Sequence, residues 1–261
     1  MKHDSLSDFA KRLNRARSHA TPLDVEDAMG QKLDLESAYE IQKHCVEQQR
    51  SECVGWKVGA TNERAQQAFG FSQPFYGRLL ARWTNASPVA LSAGRYFTPG
   101  LEPEFAFRLH SDLPPREVPY VDSEIRNAIS ELIPTIEVID SRVAGWPQIP
   151  PSLLVADNGA HGSIILGAPV RDWQHISLPD HPVQLKLNGV IRESGRGANV
   201  LGDPIRSVTW LANHLNAYQH MLHREDIITT GSAAGVVWPK SGDTATAQFG
   251  ELGEVRVSFE D

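Results

Sequence analysis

The segment Leu101–Leu109 alternates, and this alternation constrains the chain more than any other feature. Successive side chains of a strand point to opposite faces. Leu101, Phe105, Phe107 and Leu109 therefore line one face, and Glu102, Glu104, Ala106 and Arg108 the other. Such a strand needs an apolar layer on one side and carries two glutamates, roughly 7 Å apart, on the other. Carboxylates that close repel, and burial raises their pKa values unless a cation intervenes. Mg²⁺ suits them: it is hard, prefers oxygen, and keeps positions for water or substrate. A half-exposed strand with a wet polar face is the competing reading.

A second run narrows the choice. In Ile133-Pro134-Thr135-Ile136-Glu137-Val138-Ile139-Asp140 the glutamate sits among apolar residues, and a buried carboxylate needs a partner. Glu137 is either a third oxygen ligand beside Glu102 and Glu104 or half of a buried ion pair with Arg142. Lys57, within Gly55-Trp56-Lys57-Val58-Gly59, has two similar readings. It snorkels to solvent, or it faces the site to bind a carboxylate or relay a proton.

At 261 residues the chain is long enough for one large domain, or one domain with a helical appendage. Leu6, Phe9 and Leu13 predict a helix to about Ser18, and a second runs from Leu35 to Gln49 with Asp34 as N-cap. Residues 1–52 read as an N-terminal helical region and 53–261 as a catalytic mixed-β domain. Strands are expected at Val54–Ala60, Thr135–Asp140, Ser163–Leu166, Val183–Leu187, Asp226–Thr230, Thr244–Phe249 and Val255–Phe259. Asn188-Gly189 predicts a tight hairpin turn into Val190–Glu193. One helix is expected over Asp122–Leu132, stopping before Pro134. Another is expected over Pro204–Leu222, with Asp203 as N-cap and a buried stripe of Ile205, Val208, Leu211, Ala212, Leu215 and Leu222. The fold class is α+β, with a mixed or antiparallel sheet that folds on itself.

Other classes are disfavoured. A net charge of −7 argues against sequence-independent nucleic-acid binding. Arg12, Arg15 and Arg17 read as a solvated helix face. Cys45 and Cys53 form no CxxC and read as reduced thiols of a cytoplasmic protein. The stretch after Met1-Lys2-His3-Asp4 lacks the apolar region of a secretory signal, and no apolar run approaches the ~20 residues of a membrane span. Gly195, Gly197 and Gly202 miss the GxGxxG spacing, Gly231 to Gly235 is not GxSxG, and there is no P-loop or HExxH. His214, His220 and His223 read as surface histidines.

The sequence resembles the hydratase/decarboxylase branch of the fumarylacetoacetate hydrolase superfamily, the 2-keto-4-pentenoate hydratase and 4-oxalocrotonate decarboxylase family. The matching stretches are Gly55-Trp-Lys-Val-Gly-Ala-Thr61, Glu102-Pro-Glu-Phe-Ala-Phe107, Ile136-Glu-Val-Ile-Asp-Ser-Arg142 and Val155-Ala-Asp-Asn158. Asn188-Gly189, Val200-Leu-Gly-Asp-Pro204, Trp210-Leu-Ala-Asn213 and Thr230-Gly-Ser232 follow in the family's order. The resemblance implies a mixed β-sandwich roll with an N-terminal helical region. It places the metal ligands on Glu102, Glu104 and Glu137 and the family lysine on Lys57. It implies Mg²⁺, with Mn²⁺ also accepted by an all-oxygen site, and a homo-oligomer able to associate with a homologous pathway enzyme.

The reaction it implies is hydration of a 2-hydroxy-2,4-dienoate to a 4-hydroxy-2-oxo acid in aromatic catabolism. Decarboxylation of 4-oxalocrotonate is the alternative. Acylpyruvate C–C hydrolysis and a non-catalytic partner subunit are further alternatives, although no His/Glu dyad precedes Lys57. On this reading Asp157 or Asn158 positions water, Gly231 and Ser232 hold a substrate carboxylate, and Arg142 contacts substrate. His161, where the family usually has small polar residues, is expected at the substrate's far end.

Overall fold

The computed structural model describes residues 3–24 and 33–261. Met1, Lys2 and residues 25–32 of the expected helical region lie outside the described residues. Two helices open the chain, α1 (His3–His19) and α2 (Leu35–Gln48). Asp34 caps α2 as expected, its side chain accepting from the Ser37 N–H. Twelve strands follow among the described residues: β1 (Cys53–Gly59), β2 (Phe75–Leu80), β3 (Thr84–Ala86), β4 (Val89–Ser92), β5 (Gly100–Leu109), β6 (Ile129–Ile139), β7 (His161–Leu166), β8 (Pro182–Leu187), β9 (Val190–Arg196), β10 (Ile227–Ser232), β11 (Thr244–Gln248) and β12 (Glu254–Glu260). Four further α-helices intervene: α3 (Glu63–Phe69), α4 (Asp122–Ala128), α5 (Pro151–Ala156) and α6 (Ile205–Ala217).

The strands form two mixed sheets. The larger runs β2-β1-β10-β5-β6-β7-β3 and the smaller β4-β12-β11-β8-β9. They share one core, because the alternation in β5 sends Leu101, Phe105 and Phe107 inward to meet Ala245, Ala247, Val255, Val257 and Phe249 of the smaller sheet and its turn. Phe105 and Phe249 touch edge to face with centroids 5.3 Å apart, a favoured aromatic geometry. Helix α6 closes the side of this core with Ile205, Val208, Leu211 and Leu215. A second core holds α1, α2 and α5 against Ala60 and Phe75, so the N-terminal helices pack on the β-domain. The Asn188-Gly189 turn appears as expected, with φ of 51° and 79°, which is the conformation asparagine and glycine adopt most readily. No helix among the described residues is long and apolar enough to cross a membrane.

Three expectations are corrected. The helix at Asp122 ends at Ala128, and β6 starts at Ile129 and runs through Pro134. Ile129, Leu132, Ile133 and Ile136 are buried on both faces of a central strand, and a continuous apolar run does not separate helix from strand by periodicity. Helix α6 ends at Ala217, and Leu222 is buried in a bridge to Leu113. Arg17 is no solvated residue: it is half-buried and donates to the carbonyls of His161 and Gly162.

Candidate active site

The face of the larger sheet turned away from the shared core carries the chemistry. Strands β5 and β6 are antiparallel, with Glu102 directly opposite Glu137 and Glu104 opposite Thr135. Directly opposed residues share a face about 4.5–5.5 Å apart, and like charges there destabilise a sheet. One carboxylate oxygen from each of Glu102, Glu104 and Glu137 lies within 4.8 Å of the other two, and Glu104 and Glu137 are buried. On the next row, Lys57 on β1 pairs with Thr229 on β10, which pairs with Ala106 on β5.

Lys57 does not snorkel. It is 3% exposed, with Nζ 2.8 Å from Glu137 Oε1, and it donates to the Gly159 carbonyl at 2.9 Å. Glu137 Oε1 also meets His161 Nδ1 at 2.8 Å. Burial, more than any other influence, pulls His161 down to about 4, so its ring is neutral at pH 7. A carboxylate only accepts, so Nδ1 carries the hydrogen and Nε2 is a bare acceptor. Burial works against ionisation of Glu137, but the Lys57 charge and the His161 hydrogen bond hold its carboxyl below the ordinary range. For Glu102 and Glu104 the Lys57 charge, and for Glu104 the Gly231 N–H as well, only partly offset burial. Burial, then repulsion from Glu137, lifts Glu102 to about 7 and Glu104 well above its usual value.

The ladder between β10 and β5 breaks between Thr229 and Ser232. This bulge turns the Gly231 N–H out of the sheet to donate to Glu104 Oε2 at 2.9 Å. Bulges commonly re-aim groups beside active sites. Glycine is required here, because φ is +93° and a Cβ would lie 2.0 Å from Thr61 Oγ1. Three buried polar atoms around this face, Glu137 Oε2, His161 Nε2 and Thr229 Oγ1, have no hydrogen-bond partner among the described residues. An all-oxygen donor set, two carboxyls that resist ionisation and an orphaned carboxylate oxygen fit a hard divalent cation.

The fumarylacetoacetate (FAA) hydrolase C-terminal family matches residues 59–260. The chain belongs to the fumarylacetoacetate hydrolase family. The chain is similar to 2-keto-4-pentenoate hydratase 1 of Dechloromonas aromatica, 33% identical over 87% of this chain and 86% of that protein. It is 30% identical to 2-oxo-hept-4-ene-1,7-dioate hydratase of Escherichia coli over 96% of each. Among solved structures, 4-oxalocrotonate decarboxylase from Pseudomonas putida G7, complexed with magnesium and adipate, superposes with a TM-score of 0.92. The identity is 25%, covering 99% of this chain and 98% of that one.

Within this member of the fumarylacetoacetate hydrolase family, some expected residues stand apart from the carboxylates. Arg142 does not pair with Glu137. Its Nε donates to Asp157 Oδ1 at 2.6 Å, Nη1 to the carbonyls of Asp140 and His161, and Nη2 to the Asp157 carbonyl. With every nitrogen donating and 3% exposure, Arg142 is held in a buried ion pair with Asp157. Asp157 is buried at the other end of that pair. Its Oδ2 accepts from Ser141 Oγ and the Arg142 N–H, and its Oδ1 from Arg142 Nε. Asn158 bonds both ways to the Arg78 backbone and precedes Gly159, whose carbonyl accepts from Lys57. His161 lies against the Glu137 carboxylate, its ring hydrogen-bonded there at 0% exposure. Ser232 Oγ donates to the Ala234 carbonyl at 2.8 Å. Thr229 was not anticipated. Alternation places it on the lysine's row, but threonine is common in strands and gave no signal.

Proposed function

We propose that this protein is a divalent-metal-dependent lyase that hydrates a 2-hydroxy-2,4-dienoate of the 2-keto-4-pentenoate type to a 4-hydroxy-2-oxo acid. Glu102, Glu104 and Glu137 would hold Mg²⁺. The observation that carries this reading is the carboxylate triad with its orphaned Glu137 Oε2, in a chain similar to hydratases along most of its length. Once bound, the cation supplies Lewis acidity, drawing electron density from an oxygen on the substrate's C2.

The chain's own residues set the stage. Lys57 offsets the charge of Glu137. An ammonium has three donors, and two of Lys57's are engaged, which leaves one N–H for a substrate oxygen. His161 and Lys57 both bind Oε1 of Glu137, so Oε2 remains free as the ligand atom. The Gly231 N–H holds Glu104 Oε2 and fixes the direction of its other oxygen. Sheet and loop walls around the buried carboxylates exclude bulk water, which strengthens each of these interactions.

Decarboxylation of 4-oxalocrotonate is the second reading, favoured by the 0.92 TM-score against the decarboxylase. Both reactions develop negative charge at the same substrate oxygen, so one carboxylate face serves either. The test is incubation with 2-hydroxypenta-2,4-dienoate and, separately, 2-oxohex-3-enedioate, in Mg²⁺ and then in EDTA. Mg²⁺-dependent loss of the dienoate absorbance without CO₂ supports hydration, and CO₂ from the diacid supports decarboxylation. Silence with both overturns the proposal, and full activity in Glu104→Gln overturns the ligand assignment.

A further inference from the structure

A cavity of about 370 Å³ opens where α1, the turn after β2 and the turn after β4 meet the ends of β6 and β7. Arg17, Arg82, Trp83, Arg95, Tyr96 and Asp140 line it, together with Arg142 behind them; Lys57 and the three clustered glutamates do not. Three guanidinium groups converge on one indole. The Cζ atoms of Arg17 and Arg82 each lie 4.8 Å from the Trp83 ring centroid, and that of Arg95 lies 4.6 Å from it. The ring's faces attract cations, which explains why the arginines gather there, but it leaves their mutual repulsion in place.

The local acids do not remove that repulsion. Arg142 is neutralised by Asp157. Asp140, the one carboxylate among the described lining residues, accepts from the N–H groups of Phe97 and Thr98. Arg17 donates only to carbonyls, and burial and then the Arg142 charge draw it down to about 9. Arg82 spends Nη1 on the backbone and side chain of Gln49. Arg95, exposed, has no hydrogen-bond or ion-pair partner among the described residues. The chain's net charge is −7, so an excess of arginine in one cavity runs against its overall composition. Guanidinium groups with free forks recognise carboxylate and phosphate oxygens in pairs, and several around one volume favour a ligand with more than one negative charge.

We propose that this cavity binds a small polyanion, a di- or tricarboxylate or a phosphate, at a site separate from the carboxylate cluster. Arg95 and Arg82 supply the unspent donors, and Arg17 ties the site to β7 through the carbonyls of His161 and Gly162. The site does not depend on the proposed lyase reaction.

The test is calorimetric titration of the full chain in Mg²⁺ with propane-1,2,3-tricarboxylate, with inorganic phosphate, and with propionate. Saturable binding of a polyanion, at least tenfold tighter than propionate and weakened by salt, is expected. Arg95→Glu should weaken it at least tenfold and Arg95→Gln by less, with circular dichroism unchanged. Glu104→Gln should leave it intact. Tighter tricarboxylate assigns the ligand to carboxylic acids, and tighter phosphate assigns it to phosphoesters. Absence of binding by both polyanions, the same affinity in Arg95→Glu, or loss of binding in Glu104→Gln would overturn the proposal.

Discussion

Replacing Glu102 with glutamine should stabilise the metal-free protein, although the same change removes a proposed metal ligand. Burial, then the charge of Glu137, lifts the Glu102 carboxyl from 4.5 to about 7. A folded pKa above the unfolded one means that the native state binds more protons between the two values. Stability therefore falls as pH rises from about 4.5 to about 7, and the penalty is complete above that. At about 1.4 kcal/mol for each tenfold change in proton affinity, the full penalty is about 3 kcal/mol, most of which falls between pH 5 and pH 8. Glu104 contributes in the same direction in both proteins. Glutamine has nearly the same shape and cannot ionise. Urea unfolding in EDTA at pH 5 and pH 8 measures the difference. The wild type should lose about 2 to 3 kcal/mol more than Glu102→Gln over that interval, with the urea slope unchanged. Adding Mg²⁺ at about 100 times its dissociation constant should return about 2.7 kcal/mol to the wild type and much less to the variant. Parallel pH profiles, or equal stabilisation of both proteins by Mg²⁺, would refute the reasoning.

Three further outcomes follow from the same geometry. His161→Phe keeps the ring but removes the hydrogen bond to Glu137 Oε1, and Mg²⁺ affinity by calorimetry should drop about 10–100-fold. Gly231→Ala places a methyl 2.0 Å from Thr61 Oγ1 at a φ of +93°. It should cost about 1–3 kcal/mol and most of the activity, and Thr61→Gly in the same chain should recover part of the stability by urea midpoint. Arg142→Met leaves Asp157 buried without its cation and should cost about 3–5 kcal/mol, whereas Arg142→Met with Asp157→Leu should cost less than Arg142→Met alone.

The parts of the site legible in the sequence were those with a local signature. Glu102 and Glu104 share a face because a strand has period two. Glu137 declared itself as a charge inside an apolar run, and Lys57 as a cation between glycines. The illegible parts depend on partners distant in the chain. Arg142 lies five residues from Glu137 in sequence, yet it turns to Asp157, because the loop after α5 brings that carboxylate and two carbonyls into its fork. His161 reads as a loop residue open to substrate, but it begins β7 and packs its ring on Glu137. Arg17 fits a solvated helix face by pattern alone, and only the packing of α1 against the end of β7 buries it.

The sequence by itself determined the period-two faces, the Asp34 cap, the Asn188-Gly189 turn and the stripe of α6. Each follows from the conformational and solvation preferences of neighbouring residues. Tertiary structure decided which strands lie side by side, and so which carboxylates meet. Glu102 stands opposite Glu137, and Lys57 falls on the Ala106 row beside that of Glu104, only because β1, β10, β5 and β6 pair in that order and register. A one-residue slip would send each of these side chains to the other face. Register is selected by burial of the whole sheet, a non-local choice that no short window of sequence contains.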